Sequence, residues 1–573
     1  MLKIKKTILF LAMLFSLFIN TKAQENTQEM IPTDYFINPL NIKLLLAGSF
    51  GEIRSNHFHT GIDIKTNQRE GYPVYAVADG FVSRMRTQIG GYGNAVYINH
   101  PNGLTSVYGH LQKFNPRIAT MMKGLQYKAK SFAQDVMLTP IEIPVKKGDI
   151  IAWSGNTGSS AGPHLHFEIR NTKTEETINP LSLGFKVNDH SKPIINGCYI
   201  YKTSHNTFNE FTPKQYFQTI GANGNYTLNK VSVIAVNGEF GLGLIAYDLQ
   251  DGTSNHNGIY STTIKLDGNV IYESVIKQFA FEDGRAVNAY IDYPAKITSG
   301  RVIQKGFLAP NTKVKFYTTV KNNGLIELTD EALHEVQYIV KDINDNQSEL
   351  KFKIKSNLST ASKITLSPNM QLMGYQTEHQ FENGEVKVNL PKGILYDDLD
   401  FKFNTLSKPT YGSSKIYQIH NKLTPLHDTY ELAIKIDSNI LAYADKMLIV
   451  NTESGTQGGE AKNGFITAKP KTFGNFYVKI DSVAPIIKPI NVKEGINLSQ
   501  QKNMLFKISD HLAGIESFNG YIDGEWVLME YDLRNGNLWH TFDEKTGFGK
   551  HTFKLVVTDK KQNEKNYSIN FYR

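Results

Sequence analysis

Short apolar runs broken by glycine and asparagine turns recur along nearly the whole chain, and this rhythm restricts it to a mainly β architecture. Between Leu46 and about Phe185 the runs include Tyr72-Pro-Val-Tyr-Ala-Val-Ala-Asp-Gly80, Ala95-Val-Tyr-Ile-Asn99 and Asp149-Ile-Ile-Ala-Trp153. Each has strand length and is bounded by turn residues. The aromatic content, 32 Phe and 29 Tyr against 3 Trp, leans the same way. One cysteine, Cys198, excludes an intramolecular disulfide framework, a multi-cysteine zinc finger and a protein-held iron–sulfur cluster. Any metal site must therefore be built from histidines and carboxylates. With 573 residues, 40% of them hydrophobic, the chain can bury several cores, and about three to five domains are expected.

A formal charge of +8 first suggests a nucleic-acid or membrane-surface binder. The N-terminus changes that. Lys3, Lys5 and Lys6 precede an apolar run from Ile8 to Ile19, and small residues surround a cut after Ala23. This is the pattern of a cleaved secretory signal, and the run is too short to span a bilayer. Residues 1–23 carry four lysines and no acid, so their removal halves the charge to +4. Nucleic acid is then no natural partner. The mature chain is expected in the periplasm, cell envelope or medium, with no transmembrane segment.

Residues 24–45 read as a lead-in. One segment breaks the β rhythm: within Asn115–Pro140, the residues Ile118, Met122, Leu125, Ala129, Phe132 and Val136 fall at steps of four and three. Asn115-Pro116 supplies an N-cap followed by proline at the first helical position. One amphipathic helix is predicted, covering a sheet edge or walling a cleft. Beyond residue 187 the pattern is again β. His334–Asn346 and His551–Asn563 echo each other at an offset of 217, each an alternating strand running into an Asp-x-x-x-Asn turn. Two related Ig-like β-sandwich modules follow from this, at 187–355 and 482–573, with a β-rich module at 356–481 between them. Two oxygen donors per turn fall short of the six to eight that calcium takes, so these residues read as turn formers.

Six of the sixteen histidines lie between positions 57 and 166. In His164-Leu-His-Phe-Glu-Ile-Arg170, read as a strand, His164, His166, Glu168 and Arg170 share one face and Leu165, Phe167 and Ile169 the other. The glycine-rich 155–163 segment before it reads as a flexible rim loop. In His59-Thr-Gly-Ile-Asp63 a strand puts His59, Gly61 and Asp63 on one face, with a gap at glycine where an ion could lie. A His and a carboxylate here with one more His would leave a fourth zinc position for water. Ser106, Tyr108 and His110 share a face of a third strand. Taken alone, a single histidine such as His110 is more often structural.

The order His-x-x-x-Asp, Tyr-Gly-His, His-x-His resembles the lysostaphin/LytM-type zinc metallopeptidases, which cut peptide bonds in bacterial peptidoglycan. The resemblance covers residues about 50–170. It includes Phe50-Gly-Glu-Ile-Arg54, Gly71–Gly80, Gly91-Tyr-Gly-Asn94, Val145-Lys-Lys-Gly148 and Gly155-Asn-Thr-Gly158. It implies a duplicated hybrid-motif peptidase domain, here at 46–186, with one inserted helix. It also implies one Zn²⁺ per chain held by His59, Asp63 and His166, with His110 and His164 as the unliganded catalytic pair. Beside these, Tyr108 is read as an oxyanion donor or a structural hydroxyl. Glu168 and Arg170 are read as supporting or surface residues, and Arg54 as a substrate-carboxylate contact or a surface ion pair. His57 and His100 are read as structural.

The expected function is an exported endopeptidase acting on peptidoglycan cross-links or stems. The alternatives are a non-catalytic regulator that activates other wall hydrolases, and an adhesin whose C-terminal modules bind an envelope protein or glycan.

Overall fold

The computed structural model describes residues 32, 34–357 and 371–573. The expected signal at 1–23 lies outside the described residues. Among those described, no helix is long and apolar enough to cross a membrane.

The N-terminal part is built on one twisted sheet. Its strands are β1 (Leu46–Gly48), β2 (Ile62–Lys65), β4 (Gly80–Thr87), β5 (Ala95–Asn99), β6 (Leu104–Gly109), β8 (Gln134–Met137) and β11 (His164–Asn171), in the order β1-β2-β11-β6-β5-β4-β8. A smaller sheet, β3 (Pro73–Tyr75), β10 (Ile150–Trp153) and β7 (Lys113–Phe114), is ordered β3-β10-β7. The two flank one apolar cluster that includes Ile62, Ile64, Val74, Val96, Ile151, Leu165, Phe167 and Ile169, all fully buried. The central strand β11 runs antiparallel to both neighbours, with His166 opposite Asp63 on β2 and opposite Gly109 on β6. Phe167 then pairs with Tyr108 on the core side. A one-residue slip would exchange the two faces and bury the imidazoles in the apolar cluster.

The described part of the 24–45 lead-in is more than a tether. Phe36, Leu40 and Leu44 are buried in the same cluster. The cluster also draws on residues far along the chain: Ile276, Phe279, Val287, Tyr290, Ile291, Val314 and Phe316. Phe58 is fully buried, with the rings of Phe279, Tyr290 and Phe316 5.7, 5.5 and 5.4 Å away. The strand β12 (Thr177–Ile178) pairs with Gln278–Phe279.

The predicted helix forms as α1 (Pro116–Ala129), with the Asn115 side chain accepting from the Ile118 N–H at 2.9 Å. It is shorter than its apolar spacing suggested. Lys130 adopts a left-handed cap that closes onto the carbonyls of Gln126 and Tyr127, and Val136 then lies in β8, paired with β4. Ile118, Met122 and Gln126 face inward. The outer face takes a role that neither sequence expectation covered. Tyr127 donates to Asp543 at 2.6 Å and meets Trp526 edge-on at 5.3 Å, and Lys123 pairs with Asp543 at 3.0 Å. The insert is a seat for the last module.

Downstream, residues 194–356 form one twelve-stranded sheet folded around its own cluster. Two five-stranded sheets enclose another cluster between residues 373 and 478, and a four- and a five-stranded sheet enclose a third between 492 and 571. Both Asp-x-x-x-Asn segments are hairpin turns. Asn346 Nδ2 donates to Asp342 at 2.7 Å, and Asn563 Nδ2 donates to Asp559 at 2.8 Å.

Phe279 lies about a hundred residues beyond β12 in sequence but pairs with it and is 3% exposed within the shared core. Phe279→Ala is expected to destabilise the N-terminal sheet by about 3–5 kcal/mol. The check is amide exchange, which should accelerate in β2 and β11; faster exchange confined to residues 194–356 would contradict the shared core.

Candidate metal centre

The register of β11 sets the site. With Asp63 and His166 side by side, His59 reaches them from the segment leading into β2. His59 Nε2, Asp63 Oδ1 and His166 Nδ1 form a triangle with sides of 3.1, 2.9 and 3.2 Å. A tetrahedron with bonds of about 2.0 Å has edges of about 3.3 Å, so these three atoms fit three corners of a zinc coordination sphere. Gly61 makes the approach possible. A Cβ there would lie 2.3 Å from the Phe167 carbonyl oxygen, so any larger residue would push the His59–Asp63 segment off β11.

Each of the three is held by its outward atom. His59 Nδ1 donates to the Ser49 carbonyl at 2.8 Å, which leaves Nε2 with the lone pair. His166 Nε2 donates to Glu168 Oε1 at 2.8 Å, which turns Nδ1 inward. Asp63 Oδ2 accepts from Arg54 at 2.8 Å, which leaves Oδ1 for the centre. Such partners fix the tautomer and angle of a ligand and raise its basicity. Arg54 is therefore spoken for by Asp63.

Glu168 is fully buried and central to the support. It accepts from Thr60 Oγ1 at 2.5 Å, from the Tyr92 hydroxyl at 2.6 Å and from Arg170 Nε at 2.7 Å, besides His166. Burial opposes its charge, but Arg170 and His166 hold its carboxyl far below the usual range. Burial would also lower His166, yet Asp63 and Glu168 on either side raise it to about 9. In the metal-free site that imidazole keeps a proton at neutral pH.

His110 and His164 stand beside the triangle, with ring centroids 4.8 Å apart. His110 Nδ1 donates to the Thr157 carbonyl and His164 Nδ1 to the Gly162 carbonyl, both at 2.8 Å. That leaves Nε2 of each ring without a backbone partner, and that of His164 lies 3.4 Å from Asp63 Oδ1. Burial and the neighbouring imidazoles of His166 and His164 push His110 down to about 3, so it is neutral at pH 7.

Strand alternation did not foresee how His110 arrives. β6 ends at Gly109, and His110 has φ +58°, a left-handed conformation that breaks the face shared with Tyr108. Tyr108 points into the core, where its hydroxyl accepts from the Val77 N–H at 3.0 Å and from Ser106 at 3.0 Å. It is a structural hydroxyl and not an oxyanion donor. His100 continues that chain through Ser106, and His57 is exposed. The 155–163 loop is tied down, since Ser159 donates to the Gly91 carbonyl and Thr157 Oγ1 accepts from the Asn94 N–H.

Sequence reasoning missed Tyr92, whose ring lies 5.1 Å from that of His166 while its hydroxyl serves Glu168. An aromatic between two glycines in Gly91-Tyr-Gly-Asn94 was the available clue. Ser49 and Thr157 act through backbone carbonyls, which leave no mark on side-chain patterns.

Residues 57–126 and 138–180 match the profile of Peptidase family M23, and residues 370–481 match that of the Zu5-like domain. A DD-carboxypeptidase/endopeptidase Mpg from Neisseria meningitidis is 37% identical over 125 residues, covering 22% of each chain. The chain thus spans about a fifth of the length of the Neisseria relatives it matches. The lipoprotein NlpD of Yersinia enterocolitica is 33% identical over 111 residues, which is 19% of this chain and 88% of that one. Among solved structures, the catalytic domain of lysostaphin from Staphylococcus simulans is 23% identical, covering 25% of this chain and 93% of that one, with a TM-score of 0.18. A relative covered over most of its length at a third identity settles the lineage: this chain belongs to peptidase family M23.

Proposed function

We propose that the chain is an exported zinc endopeptidase that hydrolyses peptide bonds in peptidoglycan, with His59, Asp63 and His166 holding the metal and His110 and His164 moving protons. The observation that carries this reading is the division of labour among ring nitrogens. All four imidazoles have one nitrogen committed to a carbonyl or carboxylate and the other turned towards the Asp63 carboxylate or the space beside it. A regulator without catalysis has no need of five filled and oriented positions.

Zinc held there supplies Lewis acidity and a bound water with a pKa of about 7. The chain's own residues do the rest. The imidazole of His110 or of His164 accepts a proton at Nε2 and can then donate it to the leaving amine. The other imidazole can donate towards negative charge developing on the scissile carbonyl oxygen. Glu168 keeps His166 from rotating, and Arg54 keeps Asp63 from rotating. The modules at 187–355, 356–481 and 482–573 follow as envelope-facing parts, for a protein or glycan partner.

Two outcomes check the metal assignment. Because His166 holds its proton up to about pH 9 in the metal-free site, zinc uptake at pH 7 should release about one proton from it, and affinity should fall as pH is lowered. Titration calorimetry in buffers of different ionisation enthalpy reads both. Glu168→Gln should weaken zinc binding by about 10–100-fold in competition with a chelator; unchanged affinity would remove Glu168 from the site's support.

Activity is checked on cross-linked peptidoglycan. The mature chain should release soluble muropeptides, and a chelator should abolish the release. His110→Ala should lower the rate by about 10²–10⁴-fold while keeping one zinc per chain. Intact sacculi with zinc bound would instead favour the regulatory reading.

A further inference from the structure

Outside the peptidase centre, three carboxylates from distant segments meet. Asp189 lies in the link between the N-terminal sheet and the first downstream module, Asp248 follows the strand Glu239–Tyr247, and Asp342 opens the hairpin turn before Gln347–Ser356. One oxygen of each lies within 4.8 Å of the others. Two donors bound to one calcium ion at about 2.4 Å can be at most about 4.8 Å apart, so the spacing allows a shared ion.

The partners of these groups are unevenly met. Asp342 accepts from the Asn344 and Asn346 N–H groups at 2.9 and 2.8 Å, and Asp189 accepts from the Ser191 N–H at 3.0 Å. Asp248 is 5% exposed, and its Oδ1 is buried with no hydrogen-bond partner. Asn257, paired directly opposite it in an antiparallel bridge, is also 5% exposed, and its Oδ1 likewise has no partner. Residues opposite each other in such a bridge point to the same side. Among the described residues, none of the three carboxylates is in an ion pair. Burial, with Asp189 and Asp342 alongside, pushes Asp248 up to about 8. A buried carboxylate oxygen without a partner costs free energy that a cation would recover.

The last module provides a control within the chain. Asp481, Asp510 and Asp559 form a similar cluster around the second hairpin. There every carboxylate is served by backbone. Asp481 accepts from the Ala513 N–H at 2.8 Å, Asp510 from the Gly514 N–H at 2.7 Å and Asp559 from the Lys561 N–H at 2.7 Å. None of its side-chain oxygens is buried and unpartnered. The shared turn is thus a structural unit, and the first copy alone has donors to spare.

We infer that Asp189, Asp248 and Asp342, with Asn257 beside them, form a calcium site that fastens the first downstream module to the peptidase sheet. An all-oxygen donor set of this charge selects a hard cation, and waters complete the six to eight ligands. One turn alone offers two donors, whereas four segments contribute here. The site lies at the root of a loop that reaches the peptidase sheet. Gln250 accepts from the Leu46 N–H at 2.8 Å and donates to the Leu44 carbonyl at 2.9 Å, and the Gly258 N–H donates to Ser49 Oγ at 2.9 Å. Ser49 is the residue whose carbonyl orients His59. Fixing Asp248 therefore stiffens the seat of β1.

The test is calcium titration of the full chain, stripped of metal and resupplied with one equivalent of zinc, followed by calorimetry and thermal melting. One saturable ion with Kd of about 10⁻⁴–10⁻³ M and a higher melting temperature in calcium are expected. Asp248→Asn and Asp189→Asn should each weaken that ion at least about tenfold, while Asp510→Asn leaves it. Without calcium, Asp248→Asn should melt no lower than the parent chain, because burial and the neighbouring carboxylates already oppose a charge at Asp248 and a neutral amide does not meet that opposition. That result separates an ion site from a purely structural carboxylate. If Asp248→Asn does not fold, Asp189→Asn, at the half-exposed linker position, decides alone. No uptake by the parent chain at about 10 mM calcium, tenfold above the weakest expected Kd, would overturn the site. So would uptake that survives both substitutions.

Discussion

The register of one central strand is the constraint on which the rest of this structure depends. β11 is hydrogen-bonded on both sides, and its pairing sets His166 against Asp63 on one flank and Gly109 on the other. The same pairing turns Leu165, Phe167 and Ile169 into a fully buried core. Since strand side chains alternate with period two, the apolar face and the imidazole face cannot be varied separately. Burying three large apolar side chains stabilises by about 1.5–3 kcal/mol each. That energy holds the polar face in place, although the polar groups themselves are costly to bury.

The polar face solves its desolvation problem with charge-assisted hydrogen bonds. Glu168 is surrounded by four donors, and Arg54 neutralises the outer oxygen of Asp63. These bonds also decide which atom of each group is left over, and the leftover atoms form the site. The glycines at 61 and 109 leave room for this network. A side chain at 61 would strike the β11 backbone, and one at 109 would press on Tyr92 and His166.

Much of this was legible in the sequence, for identifiable reasons. The alternation in His164–Arg170 and the gap at Gly61 expose the two faces without structural help, and Asn115-Pro116 marks the start of α1 unambiguously. Other features were hidden by their physics. The end of α1 depends on a left-handed lysine, which no propensity favours. His110 leaves its strand through a positive φ, which period-two alternation does not reveal. Tyr92 and Glu168 are joined by contacts across 76 residues. The core extension through Phe279 and the cluster around Asp248 depend on tertiary approach, which a pass along the chain cannot see.

The downstream modules are tied to the peptidase part at three places: the shared core at residues 276–316, the loop 248–258 on β1, and the last module on α1. The sheet that carries the centre is therefore packed against parts of the first and the last downstream modules. The most direct test of the account is zinc-edge X-ray absorption on the zinc-loaded full chain and its single variants. A four-coordinate zinc with light-atom bonds of about 2.0–2.1 Å is expected. The imidazole signature should diminish in His59→Ala and His166→Ala and stay unchanged in His110→Ala and His164→Ala. Loss of an imidazole from zinc in His110→Ala or His164→Ala, or a zinc indifferent to Asp63→Asn, His59→Ala and His166→Ala alike, would contradict it.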